Sequence, residues 1–160
     1  GHITATLLFL IIAASMYSRM LGISGLPTEL GRVIGDMNAS FAQLMIMYVI
    51  ILIILGTIID SVSIMLITVP LFLVVLAPFD VDLVWFGVVT VIATEIGLLT
   101  PPLGLAVYVI KSTLVQKDIS LADIFIGAAP FALVMLVVLI LVMIFPEIPL
   151  ALVELKRSLR

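Results

Sequence analysis

The chain has 160 residues, of which 64% are hydrophobic and 11% charged, with a formal net charge of −3 and no cysteine. Soluble domains run about 45–50% apolar with about a quarter charged, and a fold of this size has too little interior to hide the excess. The surplus must face lipid, and the composition excludes disulfides, thiolate metal sites and a nucleic-acid partner, since the one basic cluster is Lys156, Arg157 and Arg160.

A spanning helix needs roughly 20 apolar residues, because the hydrocarbon core is about 30 Å thick and a helix rises about 1.5 Å per residue. Residues 3–20 form the first predicted transmembrane helix, with Thr4, Thr6, Ser15 and Ser18 as its polar positions and Arg19 near its close. Gly1-His2 carries neither the basic start nor the cleavage site of a signal peptide, and no initiator Met precedes it. A segment of a longer polypeptide is expected. Residues 21–40 read as a polar connection. Within it 28–37 suits a short amphipathic helix through Leu30, Val33, Ile34 and Met37, either lying at the membrane interface or packed on the bundle.

Residues 41–59 are strongly apolar, Asp60-Ser61-Val62-Ser63 interrupts, and 64–77 is apolar again but short for a crossing. Two spans joined by a tight loop compete with a re-entrant hairpin over 41–77 whose tip lies inside the membrane. The short arm, the small polar tip (Gly56, Thr57, Asp60, Ser61, Ser63) and Pro70 favour the hairpin. After the turn at 78–82, Trp85 and Phe86 read as an interfacial aromatic belt. Residues 84–115 are too long for one untilted helix and too short for two with a loop. With Thr100-Pro101-Pro102 in the middle they read as a broken transmembrane helix, with halves at 84–98 and 103–111. The charge-free stretch 124–145 is the last predicted span, with Ser120 or Asp123 as N-cap and Pro130 near its first turns. A tail fills 146–160. The fold class is an all-α integral membrane protein forming one unit.

Of the ten acidic residues, Asp60 and Glu95 alone are flanked on both sides by long apolar runs. A charge at mid-bilayer costs about 2.5–3.5 kcal/mol on insertion scales, so such groups face a cavity or a partner. Capping by Asp60 and interhelical bonding by Glu95 are the plain structural alternatives. The broken backbone adds a second signal. Pro101 and Pro102 leave the carbonyls of Gly97 and Leu98 without their usual helical donors, and a cation is one substitute partner. Thr100 adds a hydroxyl ligand, while Gly97 and Gly104 permit close approach and unusual dihedrals. Half-helix C-termini suit cations and half-helix N-termini suit anionic groups. The candidate ion and substrate residues are therefore Gly56, Asp60, Ser61, Glu95, Gly97, Leu98, Thr100, Pro101, Pro102 and Gly104. His2 stands alone and is no metal ligand. The sequence has no HExxH run, phosphate-binding glycine loop or Ser/His/Asp arrangement, which sets an intramembrane enzyme aside.

Gly56-Thr57-Ile58-Ile59-Asp60, then Val81-Asp82-Leu83-Val84-Trp85-Phe86-Gly87, then Glu95-Ile96-Gly97-Leu98-Leu99-Thr100-Pro101-Pro102-Leu103-Gly104 resemble the C-terminal half of the large membrane subunit of TRAP (tripartite ATP-independent periplasmic) transporters. Pro130-Phe131 and Phe145-Pro146 fit as well, and the likeness covers nearly the whole chain. Three positions depart from that pattern. Asp80 stands where Gly is usual, Leu83 where Pro is usual, and Ala106 where Asn is usual, which removes a side-chain ligand there. The resemblance implies a DctM-like permease of the ion-transporter superfamily: an elevator transporter of two inverted repeats, of which this chain holds the second hairpin (44–76) and second broken helix (84–115). It implies sodium-coupled uptake of small organic acids, dicarboxylate or sialic-acid-like, with sodium at Gly97 and Thr100 as the coupling ion and no cofactor. It further implies a multi-pass protein of the bacterial inner membrane. Its partners would be the N-terminal half of the same permease, a small membrane subunit and a periplasmic substrate-binding protein. If the hairpin is re-entrant, Arg32, Lys156, Arg157 and Arg160 share one side, which the positive-inside rule assigns to the cytoplasm and the resemblance to the periplasm. The alternative function is a structural membrane subunit with no transport site of its own.

Overall fold

The computed structural model describes residues 2–36, 39–114 and 118–158. Met37, Val115, Lys117 and Arg160 lie outside the described residues. Among the described residues eight α-helices follow in order: α1 (His2–Ile23), α2 (Leu26–Asp36), α3 (Phe41–Gly56), α4 (Ser61–Leu76), α5 (Leu83–Leu99), α6 (Leu105–Thr113), α7 (Leu121–Ile144) and α8 (Glu147–Ser158). A 3-10 turn, Ala77–Phe79, closes α4.

Local chemistry sets the boundaries. Ser40 caps α3 in a reciprocal box with Gln43, Asp60 caps α4 through the Ser63 N–H, and Asp82 caps α5 through the N–H groups of Val84 and Trp85. Ser120 caps α7 with Asp123 returning the bond to the Ser120 N–H, so α7 begins ahead of the charge-free run. Pro130 consequently lies inside α7 rather than in its first turns, and the Ile126 carbonyl loses its usual donor. Asp80 takes the left-handed conformation (φ 48°, ψ 50°), one that glycine adopts freely. Leu83 is the first residue of α5, a position that tolerates proline well. Both departures from the TRAP pattern thus fall in the α4–α5 turn.

The hub is α5, which packs most extensively on α3, next on α7, and also on α4, α6 and α8. The α3–α5 crossing is backbone on backbone. A Cβ placed on Gly97 would lie 2.6 Å from the Ile53 carbonyl oxygen and 2.7 Å from the Gly56 Cα. One on Gly56 would lie 2.8 Å from the Thr94 carbonyl oxygen. Above the crossing, Tyr48 and Thr90 are buried and joined at 3.0 Å. The Thr90 hydroxyl donates to the Phe86 carbonyl at 2.7 Å, so the Tyr48 hydroxyl is the donor to Thr90. The Tyr48 ring packs between Phe72 and Phe86, with centroids 4.2 and 5.1 Å away.

At the opposite end of α3, Phe41 meets both Phe79 (5.6 Å) and Trp85 (5.9 Å), so α3 begins where α4 ends and α5 begins. The interfacial belt expected at Trp85 and Phe86 is not there: they are 4% and 2% exposed. Trp85 is buried because its indole N–H has a task. Pro146 has no N–H to offer the Val142 carbonyl four residues earlier, and Trp85 Nε1 donates to that oxygen at 2.8 Å.

The connection expected over 21–40 holds α2, packed on α4 and α1, and α1 itself runs on to Ile23. The tail expected over 146–160 carries α8, packed on α5 and α7. By contrast α7 buries almost nothing: Ile126, Phe131, Leu133, Val134, Val137 and Ile144 are each more than half exposed. A 24-residue helix without charge in its last 20 positions and with that surface is built to meet lipid or further protein. Among the described residues, 61–79 and 121–144 are long and apolar enough to cross a membrane.

Two substitutions test the packing. Gly97→Ala must spread α3 from α5 and should cost about 1–3 kcal/mol, the usual range for overpacking. Gly127→Ala meets nothing within 4 Å and should be neutral or stabilising. Equal thermal unfolding of the two variants would contradict the crossing. Trp85→Phe keeps the ring but strands the Val142 carbonyl, and should lower stability by about 1–3 kcal/mol. Unchanged unfolding would show that this carbonyl has another donor.

Candidate functional site

The hairpin tip, 57–60, and the last turns of α5 meet at one level of the bundle. Ile58 and Ile59 both donate to the Leu55 carbonyl, which winds up the end of α3 before Asp60 starts α4. The Ser61 hydroxyl, in the first turn of α4, donates to Glu95 Oε1 at 2.9 Å. This bond links two candidates 34 residues apart in sequence. Both residues are half-buried. Among the described residues the one ion pair is Arg32 with Glu29, so Glu95 has Ser61 and no cation beside it.

Asp60 is placed differently. Its carboxylate accepts the Ser63 N–H at 3.0 Å, capping its own helix, and the residue is exposed. It ends the tip, and its hydrogen bond goes to its own helix rather than to the Ser61–Glu95 pair.

The broken backbone resolves into bonded and unbonded carbonyls. Gly97, expected to be left without a donor, instead accepts the Thr100 N–H at 3.0 Å in a 3-10 turn. The Thr100 hydroxyl donates to the Ile96 carbonyl at 2.6 Å, which commits its proton and leaves its lone pairs for another partner. Leu98 is the residue left over. The positions three and four residues after it are Pro101 and Pro102, so its carbonyl has neither a helical nor a 3-10 donor. Gly97 is buried against Gly56 and acts as a spacer that brings the tip onto α5.

Beyond the break, a cis bond joins Pro101 to Pro102, and Gly104 (φ +53°) opens α6 without a side-chain cap. The N–H groups of Val107 and Tyr108 turn back to the Gly104 carbonyl, while those of Leu105 and Ala106 precede the first intrahelical bond. Sequence reasoning missed Phe125. A Cβ on Gly104 would lie 2.7 Å from its ring, so Phe125 of α7 fixes the start of α6. Nothing in the residue spacing signals that contact, because it depends on where α7 passes. A groove of about 560 Å³ opens beside the break, between Ile53, Ile96, Thr100, Pro101, Phe125 and Ala129. Its walls are almost entirely apolar, so it offers no seat for an organic anion.

The family model described as "Tripartite ATP-independent periplasmic transporter, DctM component" matches residues 1–148. A putative TRAP transporter large permease protein of Haemophilus influenzae is 32% identical over 145 residues, 91% of this chain and 35% of the relative. The sialic acid TRAP transporter large permease protein SiaM of Vibrio cholerae is 30% identical over 152 residues, 95% of this chain and 35% of the relative. The C4-dicarboxylate TRAP transporter large permease protein DctM of Pseudomonas aeruginosa is 29% identical over the same coverage. The chain therefore spans about a third of the length of the curated relatives it matches. With a match over 1–148, the chain belongs to the DctM component family of tripartite ATP-independent periplasmic transporters, membrane-embedded permeases rather than enzymes.

Proposed function

We propose that this chain is the C-terminal repeat of a sodium-coupled permease that imports small organic acids across the bacterial inner membrane. In this reading α3 and α4 form the re-entrant hairpin, and α5 and α6 form the broken helix. The observation that carries it is the joining of tip to break by the Ser61–Glu95 bond beside the donorless Leu98 carbonyl. Sodium there would take the Leu98 carbonyl and the free lone pairs of Thr100, while Glu95 balances charge through a carboxylate that, among the described residues, no Lys or Arg neutralises. The uncapped start of α6 offers two backbone N–H groups to a carboxylate substrate.

Helix length supports re-entry. The support comes from the first arm: the 16 residues of α3 give about 24 Å, short of the hydrocarbon thickness of about 30 Å, whereas α4 with its 3-10 turn (61–79) is long enough to cross and the 24 residues of α7 give about 36 Å. The tip then stops at the level of the break, and α6 continues past it. Elevator movement, a second inverted repeat elsewhere in the permease, a small membrane subunit and a periplasmic binding protein follow from family membership as parts of the proposal. The relatives' names, sialic acid and C4-dicarboxylate, bring the substrate class to small carboxylates.

Sodium should raise the melting temperature of the intact permease in detergent, and potassium at equal ionic strength should not. Thr100→Ala removes a ligand, and Pro101→Ala supplies an N–H within reach of the Leu98 carbonyl. Each should reduce the sodium-dependent shift by half or more, read against that variant's own potassium baseline. A shift of equal size for both ions, or one untouched by both variants, would favour the structural-subunit reading, in which Glu95 only ties helices together.

A further inference from the structure

A second polar feature lies on the far side of the hairpin from the site, where α1 packs on α4. Pro70 sits inside α4 and has no N–H for the Leu66 carbonyl four residues earlier. Leu66 and Pro70 line a groove of about 530 Å³ that also includes Ile11, Ser15, Arg19 and Val69. The walls are aliphatic along the groove, and Arg19 is its single charge. Among the described residues Arg19 forms no ion pair. The Ser15 hydroxyl is committed to the Ile11 carbonyl at 2.9 Å and retains lone pairs only.

The depth of Arg19 defines its surroundings. It lies four residues before the end of α1 at Ile23, and Pro70 lies six before the end of α4 at Leu76, so both are within about 10 Å of one end of the bundle. Ile11 lies eight residues further in, about 12 Å toward the tip level. The groove is thus cationic near the membrane surface and aliphatic toward the interior. An unpaired arginine against hydrocarbon is costly, and its planar fork matches a phosphate bidentately while further N–H groups remain for a donorless carbonyl such as that of Leu66.

We infer that this groove is a binding site for an anionic phospholipid, with the phosphate on Arg19 and an acyl chain along Ile11, Leu66 and Val69. Charge complementarity selects a headgroup of net negative charge over a zwitterionic one. The site is separate from the Ser61–Glu95 junction and stands whether or not the permease couples to sodium.

The test is native mass spectrometry of the intact permease, titrated with phosphatidylglycerol or phosphatidylcholine in matched detergent. The wild type should retain phosphatidylglycerol at least several-fold better than phosphatidylcholine. Arg19→Gln should abolish that preference, Arg19→Lys should keep part of it, and Arg32→Gln, at an exposed position paired with Glu29, should leave it intact. Thermal unfolding of Arg19→Gln in phosphatidylcholine alone should match the wild type, which separates lipid loss from misfolding. Equal retention of the two lipids by the wild type, or undiminished preference in Arg19→Gln, would overturn the site. So would a variant that keeps its lipid but sheds a membrane partner, because Arg19 would then belong to a protein interface.

Discussion

Everything at the site depends on two glycines that let helices touch through their backbones. With any side chain at Gly56 or Gly97, α3 and α5 would have to separate, since a Cβ at either falls under 3 Å from backbone atoms of the other helix. Interiors are close-packed and respond to such a change by moving elements rather than absorbing it. Separation there would carry the hairpin tip away from α5 and draw Ser61 out of reach of Glu95, whose bond spans 2.9 Å. The glycines bind nothing themselves. They set the distance at which the polar groups meet.

A second constraint is the supply of N–H groups, which proline withholds from several carbonyls of the bundle, four of them at packed ends or beside grooves and breaks. Each case ends differently because the surroundings differ. The Val142 carbonyl, opposite Pro146, lies in the packed end of the bundle and receives the Trp85 indole. The Gly97 carbonyl, opposite Pro101, is recovered by tightening one turn onto the Thr100 N–H. The Leu66 carbonyl, opposite Pro70, belongs to a residue that lines a groove with Arg19. The Leu98 carbonyl has proline at both positions that a turn can use, so local rearrangement cannot serve it. A backbone acceptor held at membrane depth with no donor is where a cation gains most and water is least available.

Much of the fold was legible because its signals are local. Apolar runs, the caps at Asp60 and Ser120, and the Thr100-Pro101-Pro102 break each act within a few residues, and helices begin and end close to where they direct. The misplaced belt arose where a partner distant in sequence decides. Trp85 reads as interfacial until Val142, 57 residues on, requires its indole N–H. A local difference lies in α7, where Ser120, one of the two expected caps, starts the helix at Leu121 and leaves Pro130 inside it. The last helix, α8, mixes charged and apolar residues, and its contacts with α5 and α7 hold it as a helix. The site was half legible. Its residue types were evident from charge among apolar runs and from missing N–H groups. The pairing of Ser61 with Glu95, the packing of Gly56 on Gly97 and the wedge of Phe125 under Gly104 depend on helix crossings that no local pattern encodes.

The central claim is that the Leu98 carbonyl is kept free of protein donors to take a cation between the hairpin tip and the broken helix. An experimental density map of the intact permease, compared in sodium and in potassium, tests it most directly. The account predicts a compact peak in sodium alone, at coordination distance from the Leu98 carbonyl and Thr100 Oγ1 and close to the Ser61–Glu95 bond. A Leu98 carbonyl that accepts a protein N–H or hydroxyl in both maps, with no ion beside it, would contradict the account.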